Sequence, residues 1–100
     1  DSLWEDAFAK RLDELNIEWD RPSPIEYTKP NGKIGKYYPD FYIPSLGLYV
    51  DPKNPYVEMK QKEKLDIVSK IIKLKIINSK EECRNWNPLE ESNLVPSVLR

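Results

Sequence analysis

Two short β-prone runs, Leu48-Tyr49-Val50-Asp51 and residues 74–77, are separated by a segment, residues 58–72, that carries Met59, Leu65, Val68, Ile71 and Ile72 at helical spacing with lysines on its outer face. A strand, a helix long enough to cross back and a second strand form a right-handed crossover, which makes the two strands parallel neighbours. Upstream, Ile25-Glu26-Tyr27-Thr28 alternates, Asn31-Gly32 is a hairpin turn, and residues 36–43 read as the returning strand. The resulting order, α-β-β-β-α-β-α, predicts an α/β (α+β) fold in which one mixed sheet of about four strands is flanked by helices.

The helices carry their own start signals. Ser2-Leu3-Trp4-Glu5 is a capping box, and Trp4, Phe8, Leu12 and Leu15 follow on one face, so a helix is expected over residues 3–15 with Asn16 as a left-handed C-cap. Ile17-Glu18-Trp19 reads as a short extended piece before the Pro22 and Pro24 break. Residues 44–47 form a turn, and Asn54-Pro55 stops the strand that ends on Asp51. Ser79-Lys80-Glu81-Glu82 is a second capping box, for a helix ending near Trp86. A single domain is expected over residues 1–86, followed over 87–100 by an irregular tail or docking arm.

One hundred residues can bury one small core, and 39% hydrophobic with 33% charged residues is ordinary globular usage. The apolar runs are only a few residues long and the N-terminal stretch lacks a signal-peptide layout, so neither a membrane span nor export is expected. The expected location is the cytoplasm, that of the host if the chain is phage-encoded. There is no histidine, and Cys83 is the sole cysteine. That removes zinc sites, Cys-His pairs and Ser-His-Asp triads. Hydrolytic chemistry is left to carboxylates, lysines and a hard oxygen-seeking cation such as Mg²⁺, for which Mn²⁺ can substitute. A net charge of −1 speaks against a protein devoted to gripping phosphates, although Lys29, Lys33 and Lys36 gather around the hairpin and Lys53, Lys60, Lys62 and Lys64 around the later segment.

Asp40 and Asp51 stand near the ends of adjoining strands across a tight turn, so antiparallel pairing would bring their carboxylates together. Lys53, two positions after Asp51, shares its face in an extended chain. Two carboxylates and a lysine suit phosphodiester hydrolysis: Asp40 and Asp51 to hold metal, with the Pro52 carbonyl as a further ligand, and Lys53 to orient water or balance transition-state charge.

Tyr38-Pro39-Asp40-Phe41-Tyr42-Ile43-Pro44 followed by Leu48-Tyr49-Val50-Asp51-Pro52-Lys53 resembles the PD-(D/E)xK nuclease superfamily, and is most similar to small phage or mobile-element enzymes of the junction-resolving endonuclease I type. The resemblance covers residues 2–77. It implies a restriction-endonuclease-like fold and a Mg²⁺-dependent DNA endonuclease that nicks or cuts particular structures; a bare domain of this size would cut both strands only as a homodimer, beside a DNA-binding domain or with a protein partner. It also implies a metal-site role for Glu5 on the leading helix, alongside Asp40, Asp51 and Lys53. Lys29, Lys33 and Lys36, with Lys60, Gln61 and Lys64 on the later helix, become nucleic-acid contacts. The chain departs from the pattern at Pro52, since a proline cannot donate to a sheet ladder.

Each role has a competitor. Glu5 is also the third helical residue of its capping box, Asp51-Pro52-Lys53-Asn54-Pro55 is a possible surface turn, the lysine-rich helix face is a possible solvated surface, and Trp4, Trp19, Tyr37 and Tyr42 suit packing better than base stacking. Two other functions compete as well: a catalytically inactive nuclease-like module for nucleic-acid binding or assembly, and a plain interaction domain whose two aspartates lie far apart.

Overall fold

The computed structural model describes residues 2–89. Helix α1 spans Ser2–Glu14, β1 Ile25–Thr28, β2 Ile34–Tyr37, β3 Phe41–Ile43, β4 Leu48–Pro52, α2 Pro55–Lys60, α3 Lys62–Val68, β5 Leu74–Ile77 and α4 Lys80–Asn85. The mixed α/β class and the element order follow the expectation, but the strands divide into two sheets, β1-β2 and β3-β4-β5. The expected strand over residues 36–43 is broken by Tyr38-Pro39-Asp40: β2 pairs antiparallel with β1, and β3 pairs antiparallel with β4. Pro39 has no N–H for a ladder, so the chain changes sheets there. The crossover pair is parallel, with Asp51 opposite Ile76.

Alternation along β4 gives the three-stranded sheet two covered faces. Phe41, Ile43, Leu48, Val50 and Ile77 face Phe8 and Leu12 of α1 and Cys83 and Trp86 at α4, all of them buried. Leu74 and Ile76 face the other way, toward Leu65 and Val68 of α3 and Tyr27 and Tyr37 of the hairpin. Phe8 meets Phe41 and Trp86 edge-on at ring-centroid distances of 4.9 and 5.4 Å, contacts worth about 0.5–1.5 kcal/mol each beyond area burial. Arg11 Nε donates to the Trp86 carbonyl at 2.7 Å, tying the end of α4 to α1.

Helix α1 ends as its sequence implies. Asn16 is left-handed at φ 57°, and the Asn16 and Ile17 amides donate back to the Asp13 and Leu12 carbonyls. Residues 17–19 form no strand; only Asp20 bridges to Tyr42, through bonds of 2.8 Å in both directions. The helix expected over residues 58–72 starts earlier and is split. The Asn54 side chain accepts the Val57 N–H with Pro55 in the first turn, a break falls at Gln61, and α3 stops at Val68. Met59 and Ile71 therefore leave the expected core face and are 67% and 55% exposed. Ser79 caps α4 by accepting the Glu82 N–H. Of the expected tail, only residues 87–89 lie within the described residues; 90–100 lie outside them. Among the described residues no helix is long and apolar enough to cross a membrane.

Candidate metal and phosphate site

The register of β3 on β4 places Phe41 opposite Val50. One step further sets Asp40 opposite Asp51, on the sheet face opposite the Phe41–Val50 pair. Both aspartates, with Glu5, Tyr38, Pro52, Lys53, Asn54 and Val57, line one cleft of about 220 Å³. The packing of Phe41 against Phe8 and against Trp19, at 4.7 Å, holds the strand start that carries Asp40. The two aspartates therefore line the same cleft, whereas the plain interaction-domain reading expects them far apart.

Asp51 is only 1% exposed. A carboxylate that deep must be compensated or its burial costs several kcal/mol. The Tyr37 hydroxyl donates a hydrogen bond to Asp51 Oδ2, and Lys53 Nζ stands 3.2 Å from the same oxygen. Lys53 Nζ also lies 5.7 Å from the Tyr37 ring centroid, so one side chain from β2 contacts both members of the Asp51/Lys53 pair. Burial, then the charge and hydrogen bond of Asp51, push the Tyr37 hydroxyl pKa far above its ordinary value.

Asp40 is pushed up to about 7, first by burial, then by hydrogen bonding to Asp51, by the Asp51 charge and by Glu5, with Lys53 acting in the opposite direction. A protonated Asp40 can thus donate to Asp51. Glu5 reaches the cleft from the first turn of α1, and Arg21 Nη1 stands 3.8 Å from Glu5 Oε1 and 3.9 Å from Asp40 Oδ1.

Pro52 fits the ladder because of its phase. The Tyr49 and Lys53 amides donate to the carbonyls of Lys73, just before β5, and Ile77, at its end, so the backbone groups of residues 49, 51 and 53 face that neighbour. The Pro52 nitrogen turns instead toward β3, past the last pair of that ladder, Phe41 with Val50, so its missing N–H breaks none of the ladder's pairs. Its carbonyl turns to the same side, toward the Asp40 end.

Among the described residues, no three carboxylate or thiol side chains are grouped closely enough to hold a metal by themselves. The available set is two aspartates and a backbone carbonyl, all hard oxygens, which fits an ion such as Mg²⁺ that keeps several of its waters. Glu5 stands on the cleft wall, facing Arg21.

The remaining expected contacts lie outside the cleft. Lys29, Lys33 and Lys36 are exposed on the hairpin, the tip of which stands about 15 Å from Tyr37 at the rise of a strand. Lys60 is exposed on α2 with Nζ 5.2 Å from the Tyr56 ring centroid, Gln61 occupies the α2–α3 break, and Lys64 is half-buried on α3. Tyr37 and Arg21 were not among the expected site residues. Tyr37 had the signature of a packing aromatic, which it also is, and nothing near Arg21 in the sequence points to carboxylates 16 and 19 positions away.

Comparison with protein-family models, characterised proteins and solved structures gives no match.

Proposed function

We propose that this cleft hydrolyses phosphodiester bonds in DNA with the help of Mg²⁺, or Mn²⁺ in its place. The observation that carries the reading is the pairing of Asp40 and Asp51 in one cleft, with Lys53 Nζ 3.2 Å from Asp51. In water-excluded surroundings such a set can orient a water and balance charge on a phosphorane. Asp40, Asp51 and the Pro52 carbonyl would hold the cation, which when bound would supply positive charge and acidify a ligated water. Lys53, held by Asp51 and the Tyr37 ring, would supply its ammonium to a non-bridging phosphate oxygen entering the cleft. Asp40, whose carboxyl is pushed up to about 7 in the metal-free protein, would have to release its proton to ligate the cation. Lys36, Lys33 and Lys29 along the hairpin, and Lys60, Gln61 and Lys64 beyond α2, would meet the flanking backbone. Among the described residues a single copy has one such cleft and would nick; cutting both strands needs a homodimer, a further DNA-binding domain or a protein partner. The setting would be the cytoplasm, that of a host if the chain is phage-encoded.

The alternative, a related fold that binds nucleic acid or assembles without cutting, keeps the net charge of −1 as its motive. Pro52 no longer favours it, since its missing N–H breaks none of the β3–β4 pairs.

The test is cleavage of supercoiled plasmid, branched and single-stranded DNA with Mg²⁺ or Mn²⁺, comparing wild type with Asp51→Asn, Asp51→Ala and Lys53→Met. Loss of nicking in variants that keep the wild-type circular dichroism spectrum is expected. If no substrate is cut, or all four proteins cut alike, the proposal fails.

A further inference from the structure

Arg21 is a cation beside the cleft that the metal reading does not use. The two-way backbone bridge between Asp20 and Tyr42, at 2.8 Å each way, anchors the preceding residue against the edge of β3. From there the side chain crosses Phe41, its guanidinium carbon 6.0 Å from the ring centroid, and ends between Glu5 and Asp40 at 3.8 and 3.9 Å. Those separations are ionic contacts longer than the 2.7–3.2 Å of a hydrogen bond, so the guanidinium balances both carboxylates without being locked to either. Its side chain is 60% exposed, so it can swing outward without opening the core.

We propose that Arg21 is an exchangeable counter-ion: it balances Glu5 and Asp40 in the metal-free protein, is repelled when a divalent cation binds beside Asp40, and then turns to a phosphate of the substrate backbone. This rests on the metal-dependent phosphodiesterase reading. A guanidinium and a divalent ion a few ångströms apart repel each other, and both compete for the Asp40 carboxylate. Once displaced, the guanidinium stands at the rim of the cleft with five N–H donors in a fork that matches two phosphate oxygens.

Calorimetric titration of Mn²⁺ into the full chain, without DNA, tests the first half. Arg21→Gln should bind Mn²⁺ about three- to tenfold more tightly than wild type, the effect of removing one charge about 5 Å from a divalent ion in water once physiological salt has roughly halved the repulsion. Arg21→Lys, which keeps the charge, should bind like wild type. The second half predicts that in cleavage assays Arg21→Gln lowers the slope of log KM against log salt by about one phosphate contact. Equal or weaker Mn²⁺ binding by Arg21→Gln, or Arg21→Lys behaving like Arg21→Gln, overturns the counter-ion role and leaves the metal reading standing. Tighter Mn²⁺ binding with an unchanged salt slope overturns the phosphate role. If neither folded wild type nor folded Arg21→Gln binds Mn²⁺, the metal reading itself fails, and the inference with it.

Discussion

Raising the pH of the metal-free protein from 5 to 8 should destabilise it, and Asp40 is the reason. Its carboxyl is pushed from the ordinary 3.8 to about 7, so between those values the native state holds a proton that the unfolded chain has released. Stability then falls as pH rises from about 4 to about 7 and levels off above, the reverse of a carboxylate whose ion pair outweighs its burial, which the loose, exposed contact with Arg21 at 3.9 Å does not. Each pH unit of that interval corresponds to about 1.4 kcal/mol, and the step from pH 5 to pH 8 crosses about two of them, a ceiling near 3 kcal/mol. The Asp40 side chain keeps 23% of its exposure, so solvent screening brings the working figure to about 2 kcal/mol, or a fall in Tm of roughly 10 °C for a domain this size. The chain has no histidine to titrate over the same interval. The assay is thermal denaturation followed by circular dichroism in EDTA at constant ionic strength, on wild type and Asp40→Asn. The variant's neutral amide should flatten the profile and raise Tm at pH 8 but not at pH 5. A wild type as stable at pH 8 as at pH 5, or an Asp40→Asn protein with the same slope, would refute the reasoning.

Two further changes probe the supports of the cleft. Tyr37→Phe removes a hydroxyl that donates to an almost fully buried carboxylate, and should lower the urea unfolding free energy by about 1–3 kcal/mol with unchanged secondary structure; a loss below experimental error would mean that Asp51 does not depend on that donor. Gly35→Ala places a Cβ 2.7 Å from the Tyr27 ring and 2.8 Å from the Lys29 chain, so it should cost about 1–3 kcal/mol in the same measurement, and a neutral or stabilised variant would show that the Tyr27 ring is free to move aside.

The parts of the fold that could be read in advance rest on local chemistry. The parallel β4–β5 pair follows from crossover length, the end of α1 from Asn16, and the cap of α4 from Ser79. The strand expected over residues 36–43 failed for a physical reason: Tyr37, Pro39, Phe41 and Ile43 are all buried, so the period of two runs unbroken through the point where the pairing partner changes. Alternation reports which side is covered and is silent about which strand lies alongside. Asn54-Pro55, read as a stop for β4, is equally a cap followed by a first-turn proline, and in the structure it opens α2. Within the site, Asp40, Asp51 and Lys53 were visible because strand pairing and a two-residue spacing make their meeting a local matter. Tyr37 is pinned by the docking of one sheet on another, and Arg21 by the path of a strandless segment, neither of which leaves a pattern in the sequence.

The change of sheets at Pro39 separates two tasks that a single continuous strand would have bound together. Asp40, Asp51 and Lys53 belong to the three-stranded sheet and its helices, whereas the hairpin meets them mainly through Tyr37, next to the sheet switch. None of residues 25–36 of the hairpin lines the cleft, and a surface loop pays little entropy for growing longer. Its tip is therefore a modular element: length, charge and curvature there can drift, or be exchanged for another sequence, while the carboxylate pair keeps its geometry.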